Sequence, residues 1–430
     1  MKPYYQDDLV TLYHGDCLDV LRELPENSVD AVCTDPPYEL AFMGKGWDAS
    51  GIAFSTEVWS HCLRILKPGG HLLAFGGSRT WHRLAAAIED SGFEIRDSIA
   101  WLYGSGFPKS LDVSKAIAST ESGHGGNSVA QRKAAMGGDY VSSERRGNRD
   151  GAGRRDTGLS GYRLELTENA QAWQGWGTAL KPSFEPIVVA RKPLSGTVAG
   201  NVLEHGTGAL NIDACRIPTG DKLGGGSTTR GQRMKDGWHR PWMDDPDMVA
   251  ANAERSRASV ARSEELGRWP TNVVLDEHQA EALDQQTGVL TSGLFTGTRT
   301  SDKTRSVFGA FKGDPEREVQ TYGDSGGASR FFPVFRYEAK APTSERPNVD
   351  GVQHPTVKPL DLMRWLVRLV TPVGAVVLEP FAGSGTTAEA CVLEDRRCIA
   401  IEREADYLPL IMSRLRKPLQ QGLFGLGAGA

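Results

Sequence analysis

Two periodicities alternate through the first hundred residues. Leucines at 18, 21 and 24 recur at helical spacing, which predicts a helix over Cys17 to Leu24, broken by Pro25-Glu26-Asn27-Ser28. Val29 to Cys33 follows as a compact, half-buried strand leading into Thr34-Asp35-Pro36-Pro37-Tyr38. A second helix is predicted over Thr56 to Leu66, stopped by Lys67-Pro68-Gly69-Gly70. A strand over His71 to Phe75, a helix over Trp81 to Asp90 and a strand over Phe93 to Tyr103 complete the run. Strands and helices in this rhythm build a parallel sheet covered on both faces.

The rhythm then breaks. Residues 119 to 160 are rich in Gly, Ser and Arg and hold almost nothing apolar to bury, so a loop disordered in isolation is expected. Basic residues dominate there, Arg145 and Arg146 among them, which suits either a solvated linker or a loop that orders on a polyanion. Glu185 to Lys192 reads as one more core strand, but from Gly196 to Ser329 periodicity is weak again. Within that stretch Arg233 and Lys235 lie among other basic residues and Trp238 and Trp242, a mixture that fits backbone contact and base stacking as well as an irregular surface.

Order returns at the strand-like run from Arg330 to Ala339. Pro359 to Val370 is an amphipathic helix, with Leu362, Leu366 and Leu369 on one side and Pro359 suited to its first turn. A strand over Ala375 to Leu378, a helix over Thr386 to Leu393, a strand over Cys398 to Ile401 and a helix over Tyr407 to Leu415 close the series.

Composition narrows the class. The chain has 430 residues, 39% hydrophobic and 24% charged, and no apolar run approaches the ~18–20 residues that cross a bilayer. Met1 to Asp8 has no apolar core of a secretory signal, and the six cysteines include no Cys-x-x-Cys pair. A cytoplasmic chain without disulfides or a metal site is the expectation. The net charge of -5 neither supports nor excludes a nucleic-acid partner, which needs only a local positive surface.

Two constellations carry chemistry. Val376 to Thr387 reads as strand, glycine-bearing turn and helix, with Phe381, Gly383, Ser384, Gly385 and Thr386 at the turn. Glu402 ends the next strand, where a carboxylate can accept both hydroxyls of a ribose. The turn lacks the full Gly-x-Gly-x-x-Gly spacing, which favours a nucleoside ligand without a diphosphate. The other constellation is Asp35-Pro36-Pro37-Tyr38. A carboxylate and a carbonyl held rigid by two prolines can take the two N–H bonds of an exocyclic base amine, and an aromatic ring can stack on the base. His354-Pro355-Thr356-Val357-Lys358-Pro359 offers a hydroxyl and an ammonium at a helix entrance that could hold a carboxylate. Asp16 is open to two readings, an acceptor for an adenine amine or a helix N-cap. Each feature alone is also what a proline turn, tight strand–helix packing or a helix cap looks like; the combination and its order are specific.

In that order the chain resembles the S-adenosylmethionine-dependent DNA amino-methyltransferases of the β arrangement, in which Asp-Pro-Pro-Tyr precedes the target-recognition region and the cofactor loop comes last. The resemblance implies a Rossmann-like class I methyltransferase fold, α/β, with a mostly parallel seven-stranded sheet and an irregular target-recognition insertion. The strand ending at Lys192 would run reversed. The implied division is a catalytic half over 1–118, a flexible insertion over 119–172, a sheet-completing strand over 173–195, a target-recognition region over 196–329, a cofactor half over 330–418 and a tail over 419–430.

By the same resemblance Asp35, Pro36, Pro37 and Tyr38 hold the target base. Phe381, Gly383, Ser384, Gly385 and Thr386 line S-adenosylmethionine, Glu402 its ribose, Asp16 its adenine, and Thr356 and Lys358 its methionine end. Glu379 belongs to the same set, standing where the family more usually has Asp. Trp101 and Tyr103 lie where the family often has a second aromatic for the base, and Arg145, Arg146, Arg233 and Lys235 would contact DNA. An Asp at position 35 favours adenine N6, with cytosine N4 and an RNA or protein-amide substrate as alternatives. Duplex DNA is the implied partner; a second copy of the chain and a cognate restriction endonuclease stay open.

Overall fold

The computed structural model describes residues 1–40, 46–104, 106, 110–121, 166–221, 223, 244–291, 296–298, 305–306, 309–310, 318–320, 324–335 and 346–416. In chain order the main elements are β1 (Tyr5–Gln6), β2 (Val10–His14), α1 (Cys17–Glu23), β3 (Val29–Thr34), α2 (Thr56–Ile65), β4 (Leu66–Phe75), α3 (Trp81–Asp90) and β5 (Glu94–Leu102). There follow α4 (Val113–Glu121), α5 (Glu168–Ala172), β6 (Phe184–Arg191), α6 (Val198–His205), α7 (Pro246–Leu266), β7 (Val273–Asp276), α8 (Glu277–Thr287) and β8 (Val334–Phe335). The last are α9 (Leu360–Val370), β9 (Val376–Glu379), α10 (Thr386–Leu393), β10 (Arg397–Glu402) and α11 (Leu408–Leu415).

The ten labelled strands form one sheet in the order β1-β2-β10-β9-β3-β4-β6-β5-β7-β8. Its centre, β2 to β5 in that order, comprises the seven strands the resemblance implies. Within it only β6 runs against its neighbours, pairing antiparallel with both β4 and β5. The short edge additions β1, β7 and β8 were not foreseen; β1 pairs antiparallel with β2, β7 parallel with β5, and β8 parallel with β7.

Side-chain alternation divides the core into two layers. From β4, Leu73 and Phe75 join the layer under α9, α10 and α11, whereas Leu72 and Ala74 join the layer under α1, α2 and α3. The helix α9 sits almost wholly inside, with Leu362, Met363, Trp365, Leu366, Val367, Leu369 and Val370 buried, because helices and sheet press on it from several sides. Side-chain caps set several helix starts: Asp16 accepts from Leu18 N–H (2.9 Å), and Asp276 from Gln279 N–H (2.6 Å).

Residues 196–329 differ most from their reading as irregular chain. They hold α6, α7, α8 and β7, and β7 belongs to the main sheet. No residue of α7 is buried, so no apolar stripe announces it; its signals are Asp245 and Pro246 at the start and Gly267 after the end. The strand-like run from Arg330 to Ala339 reduces to Val334–Phe335, with 336–339 outside the described residues. Residues 106–182 form a separate compact unit in which α4 packs against α5. All six cysteines are free and buried, and among the described residues no helix is long and apolar enough to cross a membrane.

Candidate functional site

The direction of chain winding reverses between β9 and β3. From β9 the next strand, β10, is added on one side; from β3 the next strand, β4, is added on the other. Loops leaving the carboxyl ends of two such strands diverge, one over each face, and leave a crevice between them. The turn Phe381–Gly385 leaves β9, and Asp35-Pro36-Pro37-Tyr38 leaves β3, so the sheet itself brings the two constellations together although 343 positions (38 to 381) separate them in the chain.

On the β3 side, the Lys358 ammonium lies 2.7 Å from Asp35 Oδ2, donates to the Tyr38 hydroxyl at 3.1 Å and lies 3.4 Å from Glu185 Oε2. The Tyr38 hydroxyl donates in turn to Glu185 Oε2 at 2.8 Å. Lys358 is buried over the rings of Phe75 (4.9 Å) and Tyr38 (5.1 Å). Burial works against its charge, but Asp35 and then Glu185 outweigh it and hold its pKa above the ordinary lysine range. The other carboxylate oxygen, Asp35 Oδ1, is buried and has no hydrogen-bond partner among the described residues. Tyr38 is boxed in: a Cβ on Gly77 would stand 3.2 Å from its ring. Lys358 thus contacts Asp35, Tyr38 and Glu185 from the entrance of α9. Thr356 is exposed, its N–H donating to His354 Nδ1 at 3.3 Å.

On the β9 side, Glu379 is buried and held by its own chain. Its Oε1 accepts from the Thr34 hydroxyl (2.5 Å) and Phe381 N–H (3.0 Å), and its Oε2 from the Thr387 hydroxyl (2.6 Å). Burial pushes its pKa up to about 8 against those three bonds. These bonds tie β3, the turn and α10 together. Ser384 and Thr386 are likewise buried, their hydroxyls 3.1 Å apart, so any ligand contact from them falls to the backbone. Gly383 and Gly385 both have positive φ (52° and 80°); a Cβ on Gly385 would meet Ile411 at 2.9 Å, and one on Gly383 would meet His354 at 3.1 Å.

Glu402 ends β10 beside this turn. One oxygen accepts from Gly383 N–H and the other from Glu404 N–H, each at 2.7 Å. Each oxygen retains a lone pair, and burial pushes the carboxyl up to about 7. A glycine turn beside a strand-end carboxylate, with a partnerless carboxylate oxygen across the switch point, fits a cationic nucleoside. Asp16 leads out of β2, which pairs with β10 (His14 opposite Glu402), and one of its oxygens caps α1.

Trp101 and Tyr103 are 2% and 7% exposed and pack in the core with Phe75. Glu185, read only as part of a core strand, stands against Tyr38 and Lys358. A charge at the head of an otherwise apolar strand was its one sequence signal. Arg145, Arg146, Arg233 and Lys235 lie outside the described residues.

The sequence pattern of the N6_N4_Mtase family, DNA methylase, matches residues 29–413. Type II methyltransferase M.BamHI of Bacillus amyloliquefaciens is 37% identical over 84 residues, covering 17% of this chain and 19% of that protein. Type II methyltransferase M.HindIII of Haemophilus influenzae is 25% identical over 242 residues, covering 46% and 64%. The chain thus spans less than two thirds of the length of the curated relatives it matches. Among solved structures, the cytosine-N4-specific PvuII DNA methyltransferase aligns over 96% of this chain and 88% of that one, at 15% identity and a TM-score of 0.40.

Proposed function

The chain belongs to the DNA methylase family of N6 and N4 amino-methyltransferases, and from that premise we propose that it methylates the N6 amine of an adenine turned out of duplex DNA at a specific site, using S-adenosylmethionine. The observation that carries this reading is the buried, partnerless Oδ1 of Asp35 beside the ring of Tyr38. The lone pair of a base amine is delocalised into the ring, which makes it a weak nucleophile. Two acceptors that take its N–H bonds draw the nitrogen toward tetrahedral geometry and free that pair. Asp35 Oδ1 is one acceptor and the Pro36 carbonyl the other, held still by the fixed φ of Pro36 and Pro37. Tyr38, anchored through its hydroxyl, stacks on the everted base.

When bound, the cofactor supplies a methyl group on a positively charged sulfur, already activated for displacement. Gly383 and Phe381 let the backbone approach its nucleoside, Glu402 takes the ribose hydroxyls, and the second oxygen of Asp16 takes the adenine amine. What the residues contribute to the rate is positioning of the two reactants in line. The Asp at position 35 favours adenine over cytosine N4. A DNA substrate also accounts for the long middle region, for which an RNA or protein-amide substrate offers no reason, and a cognate endonuclease would fit a type II methyltransferase. The test is to digest DNA methylated by the purified chain and identify the nucleoside. N6-methyladenine is expected; N4-methylcytosine would overturn the base assignment, and no methylated nucleoside would overturn the activity.

Glu402 makes cofactor binding pH-dependent. Its carboxyl sits at about 7 when folded, so acid removes an acceptor from the ribose, and affinity should fall up to about tenfold between pH 8 and pH 6. Stability of the free chain moves the other way. A folded-state pKa above the usual 4.5 stabilises the fold below that value, and this contribution is lost as pH rises through about 7. Calorimetric titration at the two pH values checks the first; a constant affinity would remove Glu402 from the ribose.

A further inference from the structure

Glu185 stands where no assigned role needs it. It is the second residue of β6, whose following residues Ile187 to Ala190 are all buried apolar side chains. Because β6 runs against β4, its first residues lie beside the carboxyl ends of the parallel strands: Ile187 pairs with Phe75, and Gly76 N–H donates to the Pro186 carbonyl at 2.9 Å. Reversal of one strand thus delivers a residue from the start of β6 to the edge where Asp35, Tyr38 and Glu402 come from the carboxyl ends of parallel strands.

We propose that Glu185 is a positioning residue of methyl transfer: through Lys358 and Tyr38 it keeps the pocket net negative beside Asp35 while fixing the ring that carries the base. The inference rests on the methyltransferase reading above and deepens it.

Charge supplies the reason. In the transfer, the amine nitrogen's lone pair forms the new N–C bond while the pair of the breaking C–S bond returns to sulfur. Positive charge moves from sulfur to nitrogen, and one N–H proton is then lost to water. The transition state is therefore stabilised by negative charge near the nitrogen. Asp35 alone would not supply it, since the Lys358 ammonium lies 2.7 Å from its Oδ2 and offsets its charge. With Glu185 3.4 Å from the same ammonium, two carboxylates face one cation, and the cluster carries a net charge of one negative unit. Glu185 also gives Lys358 a second partner at the moment Asp35 turns to the base amine. The side chains of Glu185 and Lys358 are only 20% and 10% exposed, so water screens this interaction weakly.

Glu185→Gln and Glu185→Asp separate charge from shape. Gln can still accept from the Tyr38 hydroxyl but carries no charge; Asp keeps the charge on a shorter stem. For Glu185→Gln, kcat should fall roughly 10- to 100-fold. The KM values for cofactor and duplex should move less than about threefold, and the fluorescence rise of 2-aminopurine at the target position, which reports base eversion, should be preserved. Glu185→Asp should recover part of kcat. A wild-type kcat in Glu185→Gln overturns the proposal. So does a loss carried by KM, by the eversion signal or by thermal stability, which marks a merely structural residue, and so does Glu185→Asp performing no better than Glu185→Gln. If the unaltered chain methylates no DNA, the methyltransferase reading itself fails and this proposal falls with it; equal methylation by both forms removes only the role of Glu185.

Discussion

Asp35→Ala is expected to lower the single-turnover rate of methyl transfer by at least about 10²–10³-fold, the usual cost of deleting one preorganised electrostatic partner of a transition state. Cofactor affinity should change little, because the residues proposed to hold the nucleoside lie on the β9 and β10 side. Survival of the fold follows from the partners of Lys358. With Asp35 gone, its ammonium still has Glu185 at 3.4 Å and the Tyr38 hydroxyl at 3.1 Å, so no buried charge is left alone. Asp35→Asn keeps an acceptor oxygen and loses the charge, and should fall between the two. Rapid-quench methylation with calorimetric cofactor binding measures both quantities; near-wild-type transfer by the alanine variant would remove Asp35 from the mechanism.

Arg414→Leu should cost stability on a scale few surface changes reach, about 3–5 kcal/mol. The guanidinium is fully buried beneath the cofactor turn. It donates from Nε to the Ser384 carbonyl at 2.8 Å and pairs with Glu389 of α10, whose side chain is 14% exposed. Removing the arginine takes the guanidinium away from that carboxylate in a poorly solvated place and frees the turn at Ser384, so cofactor affinity should weaken alongside stability. Chemical denaturation of Arg414→Leu and of Arg414→Leu combined with Glu389→Gln isolates the cause. The double variant should regain part of the loss, since the carboxylate that faced the guanidinium is then neutral; if it is no more stable than the single one, the ion pair is not what holds the turn.

Both predictions concern groups whose importance was unequally visible in the chain. Asp35 could be singled out because its chemistry depends on its immediate neighbours: two prolines fix the carbonyl and an aromatic follows. Arg414 could not, because an arginine in the last turn of an amphipathic helix is ordinary, and only packing reveals that nothing but protein surrounds it. The same contrast separates the helices. Leu362, Leu366 and Leu369 announce α9 through period and apolarity, while α7 has no buried residue to mark it and is signalled only at its ends. The four residues of β7 are too few to display a period at all. Glu379 shows a related contrast. Its place in the motif is legible, but the hydroxyls of Thr34 and Thr387 that it accepts from, on β3 and α10, appear only in the fold.

The order of motifs, the alternation of strand and helix and the two constellations at Asp35 and Gly383 were all present in the amino-acid string, since each depends on residues close together or on a periodicity the backbone imposes; the reversal of β6 was implied only by the family resemblance. Which side chains share charge across the crevice was decided only by tertiary structure. Lys358 meets Asp35 because β3 and the entrance of α9 converge at one edge of the sheet, and Glu185 joins them because an antiparallel strand brings its beginning where parallel strands bring their ends. Coulomb interactions depend on distance and burial rather than on separation along the chain, so the electrostatics of the site came into being with the fold.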